Sequence, residues 1–195
     1  MRYGLLGGAF DPVHKGHLSI AQAAYETLHL DQVFFVASAH PPHRKTPSTP
    51  FEQRIEMLRL AVQNIKWAQV SEIEKDLPAP TYTLSVLKAL SASLPTNVQW
   101  FLIIGSDNYQ QFKTWNRWQE LLELSQLVIY PRDSENLELD PEVPAIAIKM
   151  PILTLSSTKI RQALNTGKDF NSAGLLPSLE NYVTAHGLYR NSHFN

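Results

Sequence analysis

The sequence predicts an α/β fold, a doubly wound, mostly parallel sheet with helices on both faces. Six short apolar runs lack the alternation of half-solvated strands, as strands covered on both sides do. Segments with apolar residues at helical spacing separate them, and that order implies right-handed crossovers between parallel strands. The glycine-bearing stretch GGAFDPVHKGHL, residues 7 to 18, lies where the first strand hands over to the first helix.

The strand candidates are Tyr3 to Leu6, Gln32 to Ser38, Gln69 to Ile73, Val98 to Ile104, Leu127 to Tyr130 and Ala145 to Lys149. The first helix is read from Leu18, Ala21, Tyr25 and Leu28, and the second from Ile55, Leu58, Val62 and Ile65. Thr49, Pro50 and Glu52 read as an N-cap, a first-turn proline and a capping-box glutamate for that second helix. Further helices are expected near Thr83 to Leu94, Trp115 to Leu124, Ser157 to Asn165 and Ser178 to His186. Gly167 and Gly187 supply stops for the last two. His40 to Pro50 and Pro131 to Pro144 are proline-rich and read as loops.

The 195 residues suit one domain over 1 to 195, with a closing helix in 151 to 195. Apolar residues make up 44%, and 17 basic groups nearly balance 18 acidic ones, so neither disorder nor a global field for polyanions such as nucleic acid is indicated. Affinity for phosphate must come from local geometry. The absence of cysteine excludes disulfides, thiolate zinc sites and cysteine nucleophiles. Apolar periodicity from Tyr3 onward leaves no room for a signal peptide, and no run approaches the ~18 apolar residues of a membrane span. A soluble, cytoplasmic protein is expected.

In a doubly wound sheet, ligands bind beyond the carboxyl ends of the strands, and the first strand-to-helix turn is the usual phosphate site. Gly7 and Gly8 fall there and allow close backbone approach. The helix entered near Gly16 offers amides and a positive dipole end to an anion, with His14 and His17 at its mouth. Neither GxxxxGK[ST] nor GxGxxG is present, so a different nucleotide family is indicated. His14, His17, His40 and His43 show no established zinc spacing.

GGAFDPVHKGHL resembles the GGxFDPxHxGH signature of the HxGH nucleotidyltransferase superfamily. LSSTKIR, Leu155 to Arg161, resembles its second signature, ISSTxIR. PPHR at Pro41 to Arg44, TYT at Thr81 to Thr83, GSDN at Gly105 to Asn108, FKTWNRW at Phe112 to Trp118 and the closing HGLY at His186 to Tyr189 narrow the likeness to the bacterial nicotinate-mononucleotide adenylyltransferases. The resemblance implies a Rossmann-like nucleotidyltransferase fold. It also implies transfer of AMP from ATP to nicotinate mononucleotide, giving deamido-NAD and pyrophosphate. Nicotinamide mononucleotide or phosphopantetheine as acceptor, and a non-catalytic nucleotide-binding module, are the alternatives.

By the same resemblance, His17 stabilises charge at the α-phosphate and His14 binds phosphate beside it, with Gly7, Gly8, Ala9 and Phe10 completing the loop. Ser156, Ser157 and Thr158 sit at a helix start suited to the β- and γ-phosphates, with Arg161 one turn on and Arg44 reaching in from the PPHR loop. Gly105 and Asp107 belong to the ribose site. Trp115 would stack on the pyridine ring, whereas Trp118 reads as core. Tyr82 and Thr83 would recognise the nicotinate carboxylate. Mg2+ would arrive on the ATP phosphates with no dedicated protein ligands, and no tightly bound organic cofactor is implied. The partners are then ATP and nicotinate mononucleotide, with neither nucleic acid nor membrane; a homo-oligomer is compatible with the sequence. Ala9 stands where the family usually has Thr or Ser, Ser106 where Ala is common, and Arg44 where Lys is frequent.

Overall fold

The apolar runs become strands because side chains are buried on both faces of one sheet. In the computed structural model, which describes residues 1–40, 47–94, 97–131, 138–151 and 155–190, six strands pair in parallel. They are β1 (Arg2–Gly8), β2 (Gln32–Ala37), β3 (Ala68–Ser71), β4 (Gln99–Gly105), β5 (Ser125–Tyr130) and β6 (Ala145–Ala147), in the order β3-β2-β1-β4-β5-β6. Register places Leu6 against Phe35 on one side and Ile103 on the other. Leu6, Phe35, Ile103 and Val128 enter one core, while their neighbours Leu5, Phe34, Leu102 and Leu127 enter the other. This two-sided burial explains why the runs do not alternate.

Helices α1 (Lys15–Thr27) and α2 (Phe51–Val62) cover the first face through Ile20, Ala21, Ala24, Ile55 and Leu58. Helices α3 (Thr83–Ser93), α4 (Ser106–Gln110) and α5 (Trp118–Leu124) cover the second through Leu84, Leu87, Tyr109 and Leu121. Then α6 (Ser157–Asn165), α7 (Phe170–Ala173) and α8 (Glu180–Ala185) return to the first face with Ile160, Leu164, Ala173 and Val183. Winding therefore reverses between β1 and β4. That is the switch point where such sheets open a crevice beyond their carboxyl ends.

Several expected boundaries differ. Helix α5 begins at Trp118 and not at Trp115, because Trp115 is extended and Arg117 adopts a left-handed φ of 54°. A 3-10 turn at Phe112–Thr114 precedes them. Thr49 does not cap α2; Pro50 occupies the cap without a side-chain bond, and the Thr49 hydroxyl donates to Tyr189 Oη instead. The closing helix is split into a 3-10 turn at Pro177–Leu179 and α8. Strand β6 ends at Ala147, although Ile148 N–H still donates to Ile129 O at 2.9 Å. The short helices α4 and α7 were not expected. Among the described residues no helix is long and apolar enough to cross a membrane.

Candidate active site

The first signature makes a tight strand-to-helix turn that leaves bare backbone at the crevice. A Cβ at Gly8 would lie 3.3 Å from the Phe10 ring, which is 1% exposed, so that glycine makes room for protein. A Cβ at Gly7 would meet only Leu5 Cδ2, at 4.0 Å, and Gly7 is exposed. Among the described residues nothing needs a glycine there. Phe10 itself packs edge-on against His17 at 4.9 Å and against Phe35 at 5.9 Å, so any anion contact it makes is through its backbone.

His14 is the N-cap of α1. Its Nδ1 accepts from Gly16 N–H at 3.1 Å, while His17 Nδ1 accepts from His14 N–H at 3.2 Å. An imidazole nitrogen that accepts carries no proton, so these bonds put each ring's hydrogen on Nε2. The rings lie 3.8 Å apart, tilted by 32°. The pair is a reciprocal capping box made of histidines, which fixes two directional N–H donors beside the helix's positive end.

The second signature starts α6 in the same way, with Ser156 as N-cap accepting from Lys159 N–H at 3.3 Å. The two signatures, at opposite ends of the chain, are joined directly. Ser157 Oγ donates to Pro12 O at 2.9 Å, and Arg161 Nη1 donates to Asp11 O. The structure thus brings His14, His17, Ser156, Ser157, Thr158 and Arg161 to one side of the β1 end.

Behind them lies a group of buried charges that the sequence reading did not single out. Arg54 is 2% exposed and donates from Nε to Thr49 O at 3.0 Å, from Nη1 to Ala9 O at 2.7 Å and from Nη2 to Ser38 O at 2.8 Å. The Asp11 carboxylate accepts from Ser48 N–H and Ser48 Oγ, both at 2.8 Å, and from Tyr189 Oη at 2.7 Å. Burial alone would raise the Asp11 carboxyl, but hydrogen bonds from Thr49, Tyr189 and Ser48 hold it below its ordinary value. Glu74 Oε2 accepts from Ala39 N–H at 2.9 Å, and burial pushes its carboxyl up to about 7. One signal was available for Arg54. It lies three residues after Phe51 and four before Leu58, on the apolar stripe of α2, where a surface arginine would not sit.

The second face brings a different set of groups. Gly105, and not Asp107, is the N-cap of α4, so Asp107 stands in the first turn just beyond β4. Tyr82 caps α3, and Ser85 and Val86 N–H donate back to Tyr82 O at 2.9 and 3.2 Å. The Thr83 and Leu84 amides precede the first intrahelical donors and point out of the helix start. Trp115 and Trp118 are both half-buried against Phe112, at 5.3 and 6.4 Å between rings. Arg44 and its PPHR loop lie outside the described residues. Among the described residues no three His, Cys, Asp or Glu side chains converge as a metal cage. The groups gathered at the two signatures are imidazole N–H, helix-start amides, hydroxyls and a guanidinium, a donor set for anions. It fits a cation carried on a substrate's phosphates.

A doubly wound sheet with two helix starts locked together at its switch point, both rich in donors, is the architecture expected of a nucleotidyltransferase. Residues 5–163 match the model of the cytidylyltransferase-like family. The chain is 40% identical over 190 residues to the "Probable nicotinate-nucleotide adenylyltransferase" of Thermus thermophilus, covering 97% of this chain and 100% of the relative. It is 38% identical over 210 residues to the protein of that name from Pseudomonas syringae, covering 97% and 94%. The solved nicotinic acid mononucleotide adenylyltransferase of Plasmodium falciparum, complexed with NaAD, superposes with a TM-score of 0.77 at 19% identity, over 96% of this chain and 97% of that one. This chain belongs to the nicotinate-nucleotide adenylyltransferase family.

Proposed function

We infer that the protein transfers AMP from ATP to the 5′-phosphate of nicotinate mononucleotide. A phosphate oxygen of the mononucleotide attacks the α-phosphorus, the bond from that phosphorus to the oxygen bridging to the β-phosphate breaks, and pyrophosphate leaves with the electron pair. Deamido-NAD is the other product. The carrying observation is the joint between the two signatures, Ser157 Oγ on Pro12 O and Arg161 on Asp11 O, which gathers donors for a polyphosphate beyond β1. The name shared by the relatives in two bacteria supports the choice of acceptor.

The attacking phosphate is already largely anionic, since its second pKa is about 6, so no strong base is required. Catalysis then consists of alignment and charge stabilisation. In this reading His17 Nε2–H meets the α-phosphate, His14 lies beside it, and the backbone of Gly7, Gly8, Ala9 and Phe10 lines the loop. Ser156, Ser157 and Thr158 amides with Arg161 hold the β- and γ-phosphates, and Arg44 adds a charge from its loop. Gly105 and Asp107 take the ribose, Trp115 the pyridine ring, and the α3 start at Tyr82 and Thr83 the carboxylate. Mg2+ carried on the ATP phosphates would supply further charge neutralisation. The chain works as one domain over residues 1–195, in the cytoplasm.

The test is turnover by the purified chain with ATP and, side by side, nicotinate mononucleotide, nicotinamide mononucleotide and phosphopantetheine. Pyrophosphate release is expected with the first far above the others, and is expected to stop with excess chelator. Equal turnover on another acceptor, or none on any, would reject the reading.

A further inference from the structure

Tyr189, in the closing HGLY motif, lies 178 positions from Asp11 in sequence, yet their side chains are 2.7 Å apart. Its backbone takes a left-handed φ of 64°, which a tyrosine adopts only when its surroundings hold it there. Its hydroxyl accepts from Thr49 Oγ1 at 3.0 Å and donates to Asp11 Oδ1. Burial pushes the phenol up, so it remains a donor at any physiological pH.

Asp11 is the joint of the site. Its main-chain carbonyl takes Arg161, and the next carbonyl, of Pro12, takes Ser157. Its carboxylate is 3% exposed overall as a residue, and its two oxygens are held from different directions. Ser48 and Thr49 bind Oδ2, and among the described residues Tyr189 is the donor to Oδ1. Without Tyr189 the remaining donors, Ser48 N–H, Ser48 Oγ and Thr49 N–H, all pull on Oδ2, so the buried carboxylate turns toward them and the backbone it anchors follows. An open cavity of about 310 Å3, lined by Ser48, Arg161, Gln162, Asn165, Tyr189 and Arg190, lies alongside. That space gives the Arg161 side chain room to swing once Asp11 shifts.

We propose that Tyr189 is a positioning residue for ATP: by fixing the Asp11 carboxylate it sets the spacing of the two signatures and therefore the grip on the triphosphate, without touching substrate. This rests on the adenylyltransferase reading for which substrate fills the joint. Because the second face carries the pyridine subsite, the effect falls on one substrate only.

The experiment compares Tyr189→Phe, which keeps the ring, and Thr49→Val, which removes the hydroxyl bonded to the Tyr189 oxygen, with the unmodified chain. Equilibrium binding of Mg-ATP and both KM values are measured, with melting temperature as a check. Weaker ATP binding and a rise of about fivefold or more in ATP KM are expected for Tyr189→Phe. The KM for nicotinate mononucleotide should stay within twofold, and Thr49→Val should shift ATP binding in the same direction by less. If Tyr189→Phe fails to fold, Thr49→Val alone carries the comparison. Unchanged ATP binding in the folded variants, or equal rises in both KM values, would overturn the proposal. An unmodified chain inactive on nicotinate mononucleotide would reject the acceptor assignment, while the ATP-binding comparison would still decide the role of Tyr189.

Discussion

Two adjacent glycines that look equivalent in sequence have different duties. A Cβ at Gly8 runs into the Phe10 ring at 3.3 Å, whereas among the described residues one at Gly7 meets nothing closer than 4.0 Å. Gly7→Ala is therefore expected to keep the melting temperature or raise stability slightly, by at most ~1 kcal/mol, as a compatible Gly-to-Ala change does. If the bare backbone serves a phosphate, the same change should weaken ATP binding by about tenfold or more, equivalent to ~1.4 kcal/mol. Unchanged ATP binding would show that the methyl points away from the ligand. His17 is the complementary case. Its Nδ1 is committed to the cap of α1, which leaves Nε2–H as the donor with a fixed direction. Removing one such oriented donor costs on the order of 3 to 4 kcal/mol of barrier, so His17→Ala should lower kcat by roughly 10²- to 10³-fold. Near-normal kcat in a folded His17→Ala protein would remove His17 from the transition state.

Elements with long, two-sided burial were legible in the sequence, and those set by a single backbone conformation were not. All six strands and the long helices follow from apolar spacing, because the cores on both faces select it. The start of α5 was missed because Arg117 carries a left-handed φ that an arginine does not announce. Helices α4 and α7, of five and four residues, are too short to show a period. The signatures could be placed at strand ends and helix starts, but the contact between them could not, since it depends on α6 returning to the face of α1. The buried charges were hidden because Asp11 and Glu74 look like surface residues until their partners are known, and the place of Arg54 on the apolar stripe of α2 signals burial without naming what it binds. Glu74 gives this network a pH dependence. Between about 4.5 and about 7 the folded protein keeps a proton on Glu74 that the unfolded chain has released. Stability from this group is thus greatest at low pH, falls as pH rises through that interval and is level above it. Glu74→Gln, which cannot ionise, is expected to flatten the slope of denaturation free energy between pH 5 and 7 and to be the more stable protein at about pH 8. A slope as steep as that of the unmodified chain would assign it to other groups.

At the scale of the whole molecule, the reversal of winding at β1 and β4 divides the crevice between the two faces of the sheet. Both signatures reach it from the face of α1 and α6, and the start of α3 and Trp115 belong to the opposite face. On the proposed reading, phosphate grip and choice of pyridine fall to groups with separate supports, and changes at one are expected to add to changes at the other. Within the second face the labour divides again. The indole of Trp115 is held against Phe112 and offers a flat surface that serves acid and amide rings alike. It cannot choose between them. On the proposed reading the backbone donors near Tyr82 and Thr83 choose, because a carboxylate presents two acceptors to such donors while a carboxamide turns an NH2 toward one of them. A donor facing a donor leaves a buried polar group unpaired, which should cost the amide a few kcal/mol, on the order of a hundredfold or more in kcat/KM. Trp115→Ala is expected to lower kcat/KM for both mononucleotides by similar factors, to preserve their ratio and to leave ATP binding unchanged. Steady-state kinetics on both acceptors decides the matter: a variant that lost the acid preference alone would move selection onto the indole, and one that lost ATP affinity would show that the two faces do not act separately.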